Sequence, residues 1–298
     1  KNQGVDVMAF DDIYPEGHQG GVCIIMNGHR VATNGDIRLE ATPGQWQPVP
    51  KQLDRKLSDN SITATLCYPD SSRHLTGFNP MIYPDLHLIY TVNVESKGKN
   101  IEVTVDLDRP IPQEFIGKVG FNLEFFPGSL FGKPWIMDGQ SGIFPQQPNS
   151  PLMTTQPNYL HTGNYHDGKQ SLADMDKLIG KGYSPIVADD IISEPYAKGR
   201  KFTSRPDDPY NKVTIESLSG DLQLFDGRMN HNNGWFVLRS NIKPGVTKGA
   251  VKWIITPNVV ADWMYQPVIQ TSQIGYHPAQ DKEAVIEMDI RDNRKETA

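Results

Sequence analysis

Two neighbouring runs show how this chain is patterned. In LHLIYTVNVE, Leu86, Leu88, Tyr90, Val92 and Val94 fall on one face, with His87, Thr91, Asn93 and Glu95 on the other. After the polar turn SKGKN comes IEVTVDLD, where Ile101, Val103, Val105 and Leu107 alternate with Glu102, Thr104, Asp106 and Asp108. A period of two on both sides of a short Gly-containing loop predicts a β-hairpin. KVGFNLEFF alternates in the same way through Val119, Phe121, Leu123 and Phe125. VTIES and DLQLFD flank a Ser219-Gly220-Asp221 turn, and GWFVLRS and AVKWIIT flank NIKPGVTKG. The last two runs are apolar on both faces in places, as strands of stacked sheets are. The predicted fold is all-β, a large antiparallel sandwich.

Helical spacing occurs in one place, SLADMDKLIGKG. There Ser171 and Asp174 resemble a capping box, Leu172, Met175, Leu178 and Ile179 form a stripe, and Gly180 offers a stop. The stretch Gln140–Pro157 is rich in Pro, Gln, Ser and Thr and has no period. It reads as a long loop within one sandwich, with a domain boundary as the alternative. PNVVADWMYQP, with a proline at each end, is the better boundary. The expected division is a sandwich over residues 1–262, then a linker and further strands over 263–298.

Composition narrows the class. With 37% hydrophobic and 21% charged residues over 298 positions, the chain can fill a core, and 26 glycines with 23 prolines suit many short strands. The net charge is −6 and the basic residues are scattered, which argues against nucleic-acid binding. No apolar run nears the roughly 20 residues that span a bilayer as a helix. The chain starts at Lys1, which reads as a mature or trimmed form, so a secreted, periplasmic or outer-surface bacterial protein is expected. Cys23 and Cys67 both sit in apolar strand-like runs. They read as buried thiols, and a disulfide between them is the alternative.

The segment QTSQIGYHPAQDKEAVIEM carries a resemblance. Ile269, Gln273, Ile274, Gly275, Tyr276, Pro278, Lys282, Ala284, Val285 and Ile286 fall in the order seen at the start of the immunoglobulin-like module of family 9 glycoside hydrolases. Ser272 stands where that family usually has Asn. The likeness covers about 25 residues, under a tenth of the chain. On this reading Gln273–Tyr276 is a short edge strand, Gly275 allows close backbone approach, and His277-Pro278 turns the chain. A complete immunoglobulin-like sandwich needs about 100 residues, and about 30 follow Pro267. The resemblance therefore implies an N-terminal, non-catalytic region ending in an incomplete module, with a catalytic domain downstream. The family's catalytic toroid and its paired aspartates have no match here. More loosely, the first 260 or so residues resemble the supersandwich β-domains of gut-bacterial polysaccharide-degrading enzymes, a fold-level analogy that does not carry function.

For an oligosaccharide or polysaccharide partner, the candidate stacking rings are Trp46, Trp135, Tyr165 and Trp235, with Tyr159 as a further candidate. Trp46 has the most loop-like context, and Trp135 has Asp138 and Gln140 beside it. The bland reading of each is a ring covering the sandwich edge. Paired carboxylates for glycoside hydrolysis must face each other across roughly 5 to 10 Å. Glu124 with Asp226, and Asp189 with Asp190, are candidate pairs. In FDGRMNHNNGWF, a His231 with Arg228 or Asp226 could move a sugar proton in a mutarotase or lyase, but Asn-Asn-Gly also suits a tight hairpin. His161, His166 and Asp167 fit no strong metal spacing. No cofactor is expected, and calcium is the metal that Asp207, Asp208 and Asn211 would suit.

Overall fold

The computed structural model describes residues 4–11, 21–39, 50–68, 86–147, 152–154, 191–193, 195–229, 235–261 and 263–289. Two antiparallel sheets make up its bulk. The seven-stranded sheet runs β1 (Val5–Ala9), β2 (Val22–Met26), β3 (His29–Leu39), β8 (Val119–Phe125), β17 (Phe236–Asn241), β16 (Leu222–Asp226) and β13 (Ala197–Gly199). The nine-stranded sheet runs β10 (Gln140–Ile143), β9 (Pro134–Met137), β14 (Lys201–Ser204), β15 (Val213–Ser217), β18 (Val251–Pro257), β7 (Asn100–Leu107), β6 (Leu88–Lys97), β5 (Ser61–Tyr68) and β4 (Lys51–Leu57). A separate pair joins β11 (Leu152–Thr154) to β12 (Ile191–Ser193), and a terminal hairpin joins β19 (Val268–Gln270) to β20 (Val285–Glu287).

The period-two runs become strands because each offers one apolar face to the opposite sheet. In β7 every second side chain is buried, as its alternation predicts. Phe121 of β8 meets Trp253 of β18 edge-on at 5.1 Å, and Phe125 meets Phe202 of β14 at 5.8 Å. The Trp253 indole N–H donates to Ser240 Oγ of β17 at 3.1 Å, so the largest ring of the core also keeps its polar atom satisfied. The fold is the all-β sandwich the pattern predicts.

Two local expectations change. The pairs flanking Ser219-Gly220-Asp221 and NIKPGVTKG are not hairpins. β15 and β18 lie in the larger sheet, β16 and β17 in the smaller, so both connections cross between layers. Alternation reports that a face is buried but not which strand lies beside it. The expected loop from Gln140 opens as β10, whose Gly142 packs under the Trp135 ring. A Cβ there would come within 2.4 Å of it. The predicted helix from Ser171 lies outside the described residues.

The terminal segment differs in register from the expectation. The first strand is Val268–Gln270, and Gln273–Ile274 form a turn closed by Gly275 N–H donating to the Ser272 carbonyl at 3.2 Å. Gly275 is required by its φ of +82°, not by a close neighbour, since no atom lies near its missing side chain. Before the hairpin, Trp263 and Tyr265 pack edge-to-face at 5.7 Å and lie against Gly4, just ahead of β1, and Gly28, in the turn between β2 and β3. No disulfide joins Cys23 to Cys67. Cys23 Sγ lies 3.1 Å from Thr33 Oγ1.

Candidate functional site

Charge is buried where packing does not ask for it. In β8, Phe121, Leu123 and Phe125 point at the other sheet, so Asn122 and Glu124 occupy the opposite face. Both are nevertheless buried. Arg239, opposite Asn122 on β17, donates to Asn122 Oδ1 at 2.8 Å, Asn241 Oδ1 at 2.9 Å and the Lys118 carbonyl at 2.5 Å. Gly120 makes room for that guanidinium, because a Cβ there would approach Arg239 Cζ to 2.8 Å. Glu124 accepts the Asn34 side-chain amide at 2.7 Å.

A β-bulge aims β3 at this group. The β3–β8 register slips between Thr33 and Asp36, Asn34 has a φ of +54°, and Gly35 sits hard against Val22. Beyond the bulge Asp36 stands opposite Asn122 and is 4% exposed. Its Oδ1 accepts the Tyr90 hydroxyl, from the larger sheet, at 2.6 Å and the Ile37 N–H at 2.7 Å. Burial pushes the Asp36 carboxyl up to about 6, against the downward pull of Arg38 and of those two hydrogen bonds. Burial and then Asp36 hold the Tyr90 phenol protonated well above its ordinary range. For Arg38, burial pulls down, but Glu124 and Asp36 outweigh it and keep the guanidinium charged. A carboxyl that titrates near neutral pH, beside a fixed cation and a hydroxyl donor, can take or give a proton.

The sequence-predicted residues are dispersed. Trp46, Tyr159, Tyr165, His161, His166, Asp167, Asp189, Asp190 and His231 lie outside the described residues. Trp135 is 6% exposed and lies between Gly142 and Tyr196, so it covers the sandwich edge and is not an exposed platform. Its neighbour Asp138 accepts the backbone N–H groups of Arg200 and Lys201. Trp235 is half-buried and packs edge-on to Phe126 at 4.3 Å.

Register parity separates Glu124 from Asp226. Glu124 stands opposite Val237 and Asp226 opposite Phe236, and adjacent residues of a strand point to opposite faces. Asp226, fully buried, is held by a bidentate contact from Arg228 at 2.9 Å and by the Tyr196 hydroxyl at 2.9 Å. Asp208 is likewise occupied by its own turn, through Arg205, Asn211 Nδ2 at 3.1 Å and the Tyr210 N–H at 2.9 Å. Burial would raise its carboxyl, yet these donors hold it below the ordinary range. Among the described residues, no three His, Cys, Asp or Glu side chains gather as metal ligands would.

The Asp36 group escaped sequence reading, although TNGDIRLE carried a signal. Asp and Arg two apart inside an otherwise apolar strand run share one face that ought to be wet.

No protein-family profile matches the chain, and no curated protein matches it. Solved structures with a similar arrangement include the Slr1438 protein of Synechocystis sp. PCC 6803, at 9% identity and a TM-score of 0.35 over 79% of this chain and 87% of that one. A galactose mutarotase related enzyme from Lactobacillus acidophilus is similar at 9% identity and a TM-score of 0.40, over 88% and 97%. The HI1317 protein is similar at 9% identity and 0.32, over 85% and 98%. Scores of this size leave function to be argued from the chain's own residues.

Proposed function

We propose that this chain is the accessory N-terminal β-sandwich region of a secreted, family 9-like glycoside hydrolase that supports a downstream catalytic domain and holds plant β-glucan near it. The observation that carries this reading is the terminal hairpin. Its side chains are exposed, Ile269 at 68% and Ile274 at 99%, with Val285 and Ile286 also open to solvent. A two-stranded ribbon is marginal in water and needs further strands or a packed face. An immunoglobulin-like module that begins here would supply both. The docked pair Trp263 and Tyr265 would then anchor that module to the sandwich.

The test mixes the 298-residue chain with soluble β-glucans, xyloglucan included, and follows both mobility in polysaccharide-loaded gels and new reducing ends. Retardation without reducing ends is expected. New reducing ends would overturn the accessory reading, and unchanged mobility on every glucan would remove the sugar-holding part of it.

The buried Asp36 group favours a second reading, a sugar-active enzyme of mutarotase or lyase type. In its mutarotase form the Asp36 carboxylate would take the proton of the anomeric hydroxyl as the C1–O5 bond opens and O5 gains a proton from water. Tyr90 and Arg38 would fix the carboxylate's position, and the reverse steps would close the ring on either face. Polarimetry of reducing sugars checks it. A rate no faster than background would retire the mutarotase, and a rate lost in Asp36→Asn would support it.

A further inference from the structure

A groove of about 700 Å³ lies away from the Asp36 group, bounded by β1, the β4–β5 turn, the β6–β7 turn and the chain leaving β18. Its floor is aliphatic, from Val5, Val7, Ile62, Val94 and Ile101. Its rim is polar and carries three charged groups, Asp6, Asp59 and Lys99, none with an ion-pair or hydrogen-bond partner for its side chain among the described residues. We propose that this groove binds a short neutral oligosaccharide. This rests on the carbohydrate-holding part of the proposed function and gives that part a place.

The rim is built before any ligand arrives. In the β4–β5 turn the Ser58 N–H donates to the Ser61 carbonyl at 2.9 Å, and the Ser61 N–H donates to Ser58 Oγ at 3.1 Å. Ser96 N–H of the neighbouring hairpin donates to the Asn60 carbonyl at 2.8 Å, which ties the two turns together. Asn100 Oδ1 accepts the Thr256 hydroxyl at 2.9 Å, so its amide is oriented. Groups already fixed lose little freedom on binding.

Chemistry selects the ligand. Two carboxylates against one ammonium disfavour a polyanion, and this many polar groups disfavour a purely apolar guest. Hydroxyls, amides and carboxylates over an aliphatic floor suit a molecule with many hydroxyls and apolar ring faces, and the volume is that of ordinary small-ligand sites. Strand addition along β1 fits less well. Arg55 from β4 already bonds the Ala9 carbonyl at 2.9 Å, and exposed Asp6 puts a charge on that edge. The groove also touches Pro257 and Val259, where the chain turns toward the terminal hairpin, so a bound sugar would sit beside the start of the proposed next module.

The experiment titrates the full chain and a triple variant, Asp6→Ala, Asp59→Ala and Lys99→Ala, by calorimetry with cello-, xylogluco-, manno- and galacto-oligosaccharides. Thermal melting of both proteins controls for folding, and Ser96→Trp provides a second variant that fills the groove. Binding of a β-glucan fragment that weakens by about tenfold or more in both variants, with melting unchanged, is the expected result. Undiminished β-glucan binding in both variants overturns the groove and leaves the proposed function standing. Binding confined to another glycan and lost in both variants keeps the groove but sinks the β-glucan reading. No binding to any of the four overturns the groove.

Discussion

Ionising Asp36 costs the folded state more than the unfolded chain, because only the folded state buries the charge. Below the ordinary value of 3.8 both states are protonated and the residue is neutral in effect. Between 3.8 and the folded value of about 6, the unfolded chain ionises while the native one holds its proton, so stability falls as pH rises. The loss totals about 3 kcal/mol and is complete above pH 6 or so. Asp36→Asn removes this slope. Urea unfolding of wild type and variant from pH 4 to 7.5 should therefore show the variant gaining on wild type by about that amount. A difference that stays flat with pH would refute the raised carboxyl. At this scale the structure contributes what composition could not, since an Asp in a strand run looks the same wet or buried.

Among elements, the segment Trp263–Tyr265 is the joint between sandwich and hairpin. Its seat is Gly28, which has a φ of +78° and would bring a Cβ within 2.4 Å of the Tyr265 ring. Gly28→Ala should combine backbone strain with loss of that seat, at a cost of about 1 kcal/mol or somewhat more. Trp263 should move into water as Tyr265 lifts, giving a red-shifted tryptophan emission. Unshifted emission with unchanged stability would mean the joint does not depend on this glycine. The hairpin beyond it was visible in the sequence as strand, turn and strand. Its register was not, because Ile269 and Ile274 are equally apolar and no packed neighbour distinguishes a strand position from a turn position.

For the whole molecule, the core lies between the two large sheets and the terminal hairpin lies outside it. None of Val268, Ile269, Ile274, Val285 or Ile286 is buried. Deleting residues 266–298 should consequently leave the melting temperature of the sandwich within about 2 °C of the full chain, since stability follows buried apolar area. A fall of several degrees would show that the hairpin supports the sandwich directly. The same deletion should raise solubility, because exposed strand edges with apolar side chains invite association.

The sequence alone determined the class of fold and the strands of its most regular runs. A period of two is a local property, and Leu88 to Val94 or Ile101 to Leu107 each display it without reference to anything distant. Only the tertiary structure decided which strands are neighbours, because β15 and β18 pair across about forty residues while β15 and β16, side by side in the chain, part into different sheets. It decided too that Asp36, Tyr90 and Glu124 share one buried site, and that Glu124 and Asp226 do not. Those outcomes follow from a bulge at Asn34–Gly35 and from the parity of register, where a shift of one residue turns a side chain to the other face. Sequence records which residues are apolar, and the sheets decide what each polar residue meets.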